Sequence, residues 1–195
     1  MKLIVGTEST WSLRAIICGY LSAADFEIEI IQLSEPNFKS EILKFSPTGL
    51  VPALITESAT IHDSLAIAEF FNEIGYRSLY PQNKNDRAIS RSLCAEVHSG
   101  FKNIRADCPF SMEKVEPVSI LDSGTSLEVS RIEEIFSQAS MPFMFDEPGI
   151  VDAFYAVLAY RLTIYGINFN GNAGSYQQSL IKWPMLLKAI EALHT

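Results

Sequence analysis

Residues 46–55 read SPTGLVPALI, and this stretch decides how the first half of the chain is interpreted. Proline, threonine and glycine at positions 47–49 favour a tight turn, and the apolar run after them favours a short strand. Pro52 stands directly before that strand, where it cannot donate a backbone hydrogen bond. The Val51-Pro52 bond is therefore a candidate for the cis form, which is nearly confined to X-Pro bonds. An ordinary turn proline is the alternative that this stretch alone leaves open.

The segments on both sides of this stretch alternate between strand and helix patterns. Upstream, strands are predicted in KLIVG (2–6) and FEIEIIQL (26–33), and helices in SLRAIICGYLSAA (12–24) and NFKSEILKFS (37–46). Downstream, VPALITESATIH (51–62) predicts two short strands, and DSLAIAEFFNEI (63–74) predicts a helix capped by Asp63 or Ser64. The order β-α-β-α-β-β-α predicts a mixed sheet with helices packed on its faces.

The second half of the chain has a different character. The polar stretch SLYPQNKND (78–86) suits a linker, and helical patterns follow it at 87–107, 126–140, 150–166 and 179–194. We therefore predict an α/β domain at 1–77, a linker at 78–86 and an all-helical domain at 87–195.

Composition narrows the class of protein. The net charge of −8 argues against nucleic acid as the main partner, because phosphate binding needs a concentrated basic surface. Cys18, Cys94 and Cys108 form no C-x-x-C pair and no metal-ligand pattern, so we expect reduced thiols and no bound metal. The N-terminus has only a short apolar run, and no segment reaches membrane-spanning length. These features predict a soluble cytoplasmic protein without a membrane partner.

The stretch VGTESTWSLRAIICGYL (5–21) places three hydroxyl residues where a strand passes into a helix. Ser9, Thr10 and Ser12 can cap the helix, since hydroxyl oxygens satisfy the free N–H groups of a first turn. The same N–H groups and the helix dipole can also hold an anionic ligand atom beside a hydroxyl donor. Ser12 is the residue that we expect to act as a cap.

Three segments in this order resemble the cytosolic glutathione transferase family: STWSLRAI (9–16), SPTGLVPALI (46–55) and IHDSLAIAEFF (61–71). The first is similar to the serine-containing segment of the zeta, theta and related bacterial classes. MFDEPGIVDAFYAVLAYRLTIYG (144–166) resembles the buried second-domain helix of the family, although Gly149 stands where a capping Ser or Thr usually precedes Asp152. We expect that helix to begin less firmly, because Gly supplies no side-chain oxygen. The resemblance implies a thioredoxin-like N-terminal domain, an all-helical C-terminal domain and a homodimer active in detoxification.

The resemblance also implies a glutathione site and an electrophile site. The backbone of Val51, presented by Pro52, would pair with the cysteinyl part of glutathione, and Asp63 and Ser64 would bind its γ-glutamyl end. Ser9 stands at the position of the catalytic serine, with Thr10 as the neighbour that can replace it as donor to the sulfur. The remaining implied positions are Trp11 as a wall of the site or a packing residue, Lys39 or Lys44 for the glycyl end, and Arg105 for the electrophilic substrate.

These residues predict an enzyme that activates the thiol of glutathione for conjugation to, or isomerisation of, a small hydrophobic electrophile. A non-catalytic glutathione-binding or protein-interaction module on the same fold is the alternative. Leu50 supports it, since a cation or glutamine often stands there in the family. A cysteine-dependent reductase or lyase is disfavoured because no cysteine lies at residues 9–12.

Overall fold

The computed structural model describes residues 1–194, which form two compact units. The first unit comprises residues 1–79 together with the chain from Leu187 onward, and the second comprises Tyr80–Leu186. The final turns of the chain therefore group with the first unit, whereas the sequence assigned them to the helical domain. The strands are β1 (Lys2–Gly6), β2 (Glu27–Ile31), β3 (Ala53–Ile55) and β4 (Thr60–Ile61). The helices are α1 (Thr10–Ser22), α2 (Phe38–Leu43), α3 (Ser64–Ile74), α4 (Lys84–Ser99), α5 (Lys102–Asp107), α6 (Ser123–Ser137), α7 (Ile150–Ile164), α8 (Gly171–Ile181) and α9 (Pro184–Ala192).

The first unit is built on a four-stranded mixed sheet in the order β2-β1-β3-β4. Strands β1 and β2 are parallel, whereas β3 is antiparallel to both β1 and β4. The element order β-α-β-α-β-β-α is the predicted one, so the fold class is confirmed. Successive side chains of a strand point to opposite faces of the sheet, so Leu3 and Val5 lie on one face and Ile4 lies on the other. Ile4 packs with Ile31 and Ile42, so α2 covers that face.

The second unit is helical, and its helix boundaries differ from the sequence prediction: α4 begins at Lys84, inside the predicted linker, and the pattern at 179–194 is divided between the end of α8 and α9. The pattern at 87–107 is interrupted at Gly100 and Phe101, where Phe101 has φ +56° and separates α4 from α5. Helix α8 begins at Gly171, earlier than the apolar periodicity indicated, because its first turns are rich in small and polar residues. Within residues 1–194, none of the helices combines the length and apolar character needed to cross a membrane.

Helix α7 begins firmly despite the glycine at its N-cap, contrary to the expectation from the sequence. The carboxylate of Asp152 accepts hydrogen bonds from Gly149 N at 2.8 Å, Met144 N at 2.9 Å and Tyr176 Oη at 2.7 Å. Asp152 is buried, and burial raises its pKa to about 6. The carboxylate replaces the missing cap by binding the backbone before the helix and the α8 tyrosine.

Candidate functional site

The strand register brings three predicted segments to one end of the sheet. Leu54 pairs with Ile61 in the antiparallel β3-β4 ladder, and Ile4 pairs with Ala53 across β1 and β3. The chain enters β3 from the turn that contains Val51 and leaves β4 toward Ser64. The end of β1, the turn before β3 and the start of α3 therefore lie at the same end of the sheet.

Ser9, rather than Ser12, is the N-cap of α1. Its backbone is extended (φ −96°, ψ 110°), and its Oγ accepts a hydrogen bond from Ser12 N at 3.2 Å. Ser12 Oγ instead accepts from Gly6 N at 3.1 Å and fastens the helix to the end of β1. The prediction that Ser12 is the cap was wrong, because the chain turns into the helix one residue before Thr10. Glu8 enters that turn with φ +55°, a conformation that L residues rarely adopt.

The hydroxyls of Ser9 and Thr10 keep hydrogen-bonding capacity for a ligand. Ser9 Oγ accepts from Ser12 N, but its proton has no acceptor among residues 1–194. Thr10 Oγ1 makes no hydrogen bond within the same residues. Each of the two side chains belongs to a residue with 8% exposure. Capping and ligand binding, which the sequence set against each other, are therefore compatible at Ser9.

The Val51-Pro52 bond is cis, as the sequence suggested. Gly49 precedes it with φ +64°, in the left-handed region that favours glycine, and Gly49 N donates to Ser46 O at 3.1 Å. Leu50 is 64% exposed and Val51 is half-buried, so this turn lies at the protein surface.

At the start of α3, Asp63 caps the helix, whereas the hydroxyl of the neighbouring Ser64 takes no part in capping. Asp63 is the N-cap, and its Oδ1 accepts from Leu65 N at 2.9 Å and Ala66 N at 3.0 Å. Ser64 is the first helical residue and is only 2% exposed. Its Oγ has no hydrogen-bond partner among the described residues. A buried hydroxyl without a partner is uncommon in native structures and calls for an explanation.

The two lysines considered for the glycyl end differ in their surroundings. Lys44 forms an ion pair with Glu41, whereas Lys39 forms no ion pair with any residue of 1–194. Lys39 is exposed, and its Cε lies 3.6 Å from the position that a Cβ on Gly49 would occupy. Lys39 is therefore the cation beside the turn that contains Val51.

Trp11 and Arg105 both contact other residues of the protein. The guanidinium Cζ of Arg14 lies 4.7 Å from the centroid of the Trp11 ring, one turn along α1. Arg105 Nη2 donates to Val97 O at 2.8 Å and His98 O at 3.3 Å, so it holds carbonyls near the end of α4. Burial lowers the pKa of Arg105. Arg105 thus has a structural role, in addition to the substrate binding that the sequence predicts for it.

The three cysteines are poor candidates for the chemistry. Cys18, Cys94 and Cys108 are buried and form no disulfide. Burial raises the pKa of the Cys18 thiol far above its usual value, which leaves almost no thiolate at neutral pH. Within residues 1–194 there is also no group of three or more histidine, cysteine, aspartate or glutamate side chains arranged for a metal ion.

A groove of about 700 Å³ lies at the opposite end of the sheet from Ser9 and Ser64. Its lining includes the starts of β1 and β2 and the turn between β3 and β4, with the acidic residues Asp25, Glu27 and Glu57. The cation in that lining, Lys2, is paired with Glu29 at 2.8 Å. This groove therefore suits an anionic ligand less well than the edge that carries the unpartnered hydroxyls.

A mixed four-stranded sheet with a cis-proline turn, followed by a helical unit, defines a thioredoxin-like domain joined to an all-α domain. Comparison with known sequences agrees: the family description "Glutathione S-transferase, N-terminal domain" matches residues 8–74. Residues 8–74 thus match the N-terminal domain of glutathione S-transferases, and the predicted resemblance is confirmed for this part of the chain.

Two curated proteins are similar to this chain over more than half of its length. A stringent starvation protein A homolog of Histophilus somni is 24% identical over 164 residues, covering 79% of this chain and 74% of the relative. A zeta-class glutathione S-transferase of Euphorbia esula is 31% identical over 121 residues, covering 60% of this chain and 54% of the relative.

The solved structures agree on the fold. A glutathione transferase homolog from Burkholderia, determined with bound glutathione, superposes with a TM-score of 0.77 at 22% identity. The alignment covers 99% of this chain and 97% of that protein. At this level of identity, the likeness establishes the shared fold.

Proposed function

We propose that this protein binds glutathione in an extended conformation along the edge formed by Val51 and Ser64 and activates its thiol at Ser9 or Thr10. The reaction is conjugation to, or isomerisation of, a small hydrophobic electrophile. The match of residues 8–74 to the glutathione S-transferase N-terminal domain supports the class of activity, and the unpartnered hydroxyls support the location.

The observation that carries this proposal is the hydroxyl of Ser64. It is buried at the first turn of α3, at the end of the sheet where the Val51 turn also lies, and has no hydrogen-bond partner within residues 1–194. A carboxylate placed there would accept the Ser64 hydroxyl proton and gain from the positive end of the helix dipole. The γ-glutamyl carboxylate of glutathione is such a group, and Asp63 lies beside it for the ammonium group.

The turn before β3 would hold the middle of the tripeptide. Pro52 has no N–H, whereas Val51 has both an N–H and a C=O in the turn before β3. An extended cysteinyl residue can pair with Val51 as one added strand residue. Lys39, exposed beside Gly49, is then the cation for the glycyl carboxylate.

Thiol activation would follow from the start of α1. A free thiol has a pKa of about 8.5, so little thiolate exists at neutral pH. A hydroxyl donor together with the helix N-terminus stabilises the thiolate, and lowering its pKa by about 2 units takes roughly 2.7 kcal/mol. Ser9 can supply that donor because its oxygen already binds Ser12 N while its proton has no acceptor within residues 1–194.

Calorimetric titration of glutathione into the Ser64→Ala variant tests the location. We expect affinity to fall by about tenfold to a hundredfold, since a hydrogen bond to a charged group is lost. Ser90→Ala is the matched control, because Ser90 is a buried serine of the second unit whose Oγ donates to Asp86 O at 2.8 Å. Equal affinity of the wild type and Ser64→Ala would refute the proposed site.

A glutathione-independent interaction module is the second candidate. The exposed Leu50 in the turn beside Val51 favours it, because it offers no charge to the tripeptide. A similar protein of Histophilus somni is named a stringent starvation protein A homolog, not a transferase, which also supports this candidate. The absence of any heat of binding with wild-type protein would support this module and exclude the transferase.

The finer assignments rest on the family and need their own measurements. We propose a cytoplasmic homodimer that acts in detoxification, with Arg105 on the electrophile side. Light scattering of the purified chain tests the dimer. Isomerisation of maleylacetone compared with conjugation of a halogenated aromatic separates a zeta-like isomerase from a conjugating transferase.

A further inference from the structure

One asparagine of the chain directly precedes a glycine: Asn170 stands before Gly171, at the start of α8. An asparagine side chain loses its amide group spontaneously when the backbone nitrogen of the next residue attacks the amide carbon. Glycine hinders this attack least, because it has no Cβ. In a folded protein the reaction depends on the exposure, the hydrogen bonds and the mobility of the two residues.

Both reacting groups are accessible at the start of α8. Asn170 and Gly171 are exposed, and a Cβ added to Gly171 would meet no other described part of the chain within 4 Å. Asn170 occupies the N-cap position, but its side chain makes no hydrogen bond within residues 1–194. Gly171 N is one of the free N–H groups of the first turn and donates to no acceptor among the same residues.

The two neighbouring asparagines have different surroundings. Asn168 Nδ2 donates to Gly166 O at 3.1 Å. Asn172 Nδ2 donates to Ser137 O at 2.7 Å and to Ala139 O at 3.0 Å. Each of them is followed by a residue with a side chain, which hinders attack by its backbone nitrogen. The segment therefore contains two matched asparagines whose amide groups are held in place.

The backbone at Asn170 is held by one hydrogen bond that the reaction must break. Asn170 has ψ 171°, and Gly171 N can approach the side-chain carbon only after rotation about the Cα–C bond of Asn170. This rotation moves the carbonyl oxygen that accepts from Gly174 N at 3.1 Å. The ends of helices open at low cost in free energy, so the reactive geometry is accessible without unfolding of the protein.

We propose that Asn170 is a site of spontaneous deamidation that converts the N-cap of α8 into aspartate or isoaspartate. Gly171 N loses its proton to solvent and attacks Asn170 Cγ. The new C–N bond closes a succinimide, and the Cγ–Nδ2 bond breaks to release ammonia, which takes a proton from water. Water then hydrolyses either C–N bond of the imide, which yields aspartate or isoaspartate. This inference does not depend on the proposed glutathione site.

The two products should affect α8 in opposite ways. Aspartate places a carboxylate at the N-terminal end of the helix, where capping and the helix dipole favour it. Isoaspartate adds one methylene group to the main chain directly before the helix that carries Tyr176. Because Tyr176 Oη donates to Asp152 at 2.7 Å, a displaced α8 would weaken this bond to the start of α7.

Incubation of the full chain at mildly alkaline pH, followed by peptide mass spectrometry, tests the site. A synthetic peptide of sequence NFNGNAG (168–174) serves as the unfolded reference. We expect the replacement of NH2 by OH at Asn170 at a rate within about tenfold of the peptide. The rate at Asn170 should exceed the rates at Asn168 and Asn172 by about tenfold or more. Labelling by isoaspartyl methyltransferase measures the isoaspartate fraction.

Two variants connect the chemistry with the stability of α8. Asn170→Ser keeps a capping side chain without an amide, so it should show no conversion at this position. Asn168→Ser is the matched control and should convert at Asn170 as the wild type does. After incubation, the wild type should contain a fraction with a lower melting temperature, in proportion to its isoaspartate, and Asn170→Ser should not.

Three results would overturn the proposal. The first is an unchanged Asn170 in the folded protein after the peptide has converted completely. The second is equal conversion at Asn168 or Asn172. The third is an incubated wild type that contains isoaspartate but melts as incubated Asn170→Ser does.

Discussion

Helices α3 and α7 both begin beside an aspartate, but the buried polar groups at the two starts have opposite surroundings. At α7, the Asp152 carboxylate accepts three hydrogen bonds from Met144, Gly149 and Tyr176. At α3, the Ser64 hydroxyl is equally buried and accepts or donates none among the described residues.

This difference separates a structural site from a binding site. A buried polar group with all its partners in place stabilises the fold, and its removal leaves those partners unpaired. A buried polar group without a partner adds little to the stability of the folded chain and keeps its hydrogen-bonding capacity for a ligand. We therefore expect changes at α7 to alter stability and changes at α3 to alter binding.

The largest effect is expected at α7. Asp152→Ala leaves Met144 N, Gly149 N and Tyr176 Oη without their acceptor, and should lower the free energy of unfolding by about 3–5 kcal/mol. Urea unfolding monitored by circular dichroism measures this loss. Asp122→Ala is the control, because Asp122 caps α6 through one bond to Thr125 N at 2.7 Å and should cost only about 1 kcal/mol. If Asp152→Ala lowered the free energy of unfolding by less than Asp122→Ala, the start of α7 would not be a structural site of the kind described here.

A pH dependence of stability should follow from the same carboxyl group. Burial raises the pKa of Asp152 from 3.8 to about 6, so the folded state binds this proton more tightly than the unfolded state. The protonated carboxyl group therefore adds at most about 3 kcal/mol to the free energy of unfolding. This contribution is fully present below about pH 4 and is lost as the pH rises through about 6.

Urea unfolding across this pH range, in wild type and Asp152→Asn, isolates the contribution of the group. The free energy of unfolding of the wild type, relative to Asp152→Asn, should decrease as the pH rises from about 4 through about 6. A pH-independent difference would mean that Asp152 titrates alike in the folded and unfolded states.

The smallest effect on stability is expected at α3. Ser64→Ala removes a hydroxyl that has no hydrogen-bond partner among residues 1–194, and should change the free energy of unfolding by no more than about 0.5 kcal/mol. Ser12→Ala is the matched control in the same unit, since it leaves Gly6 N without its acceptor and should cost about 1–3 kcal/mol. Equal losses in the two variants would show that Ser64 has a structural partner after all.

The order of elements could be predicted from the sequence because periodicity and turn residues are local signals. The same signals located the Val51-Pro52 turn and the start of α3. The cap of α1 was predicted at Ser12 but lies at Ser9, because capping depends on where the backbone turns into the helix.

The firm start of α7 could not be predicted from local signals, because the partners of the Asp152 carboxylate include Tyr176, which lies 24 positions further along the chain.

The central claim is that unpartnered hydroxyls at one edge of the sheet hold glutathione and activate its sulfur. Thiolate absorbance of bound glutathione, recorded against pH, tests it most directly. We predict a bound thiol pKa about 2 units below the value of free glutathione, with a return toward the free value in Ser9→Ala or Thr10→Ala. A bound thiol that titrates as free glutathione does, unchanged by both substitutions, would contradict the account.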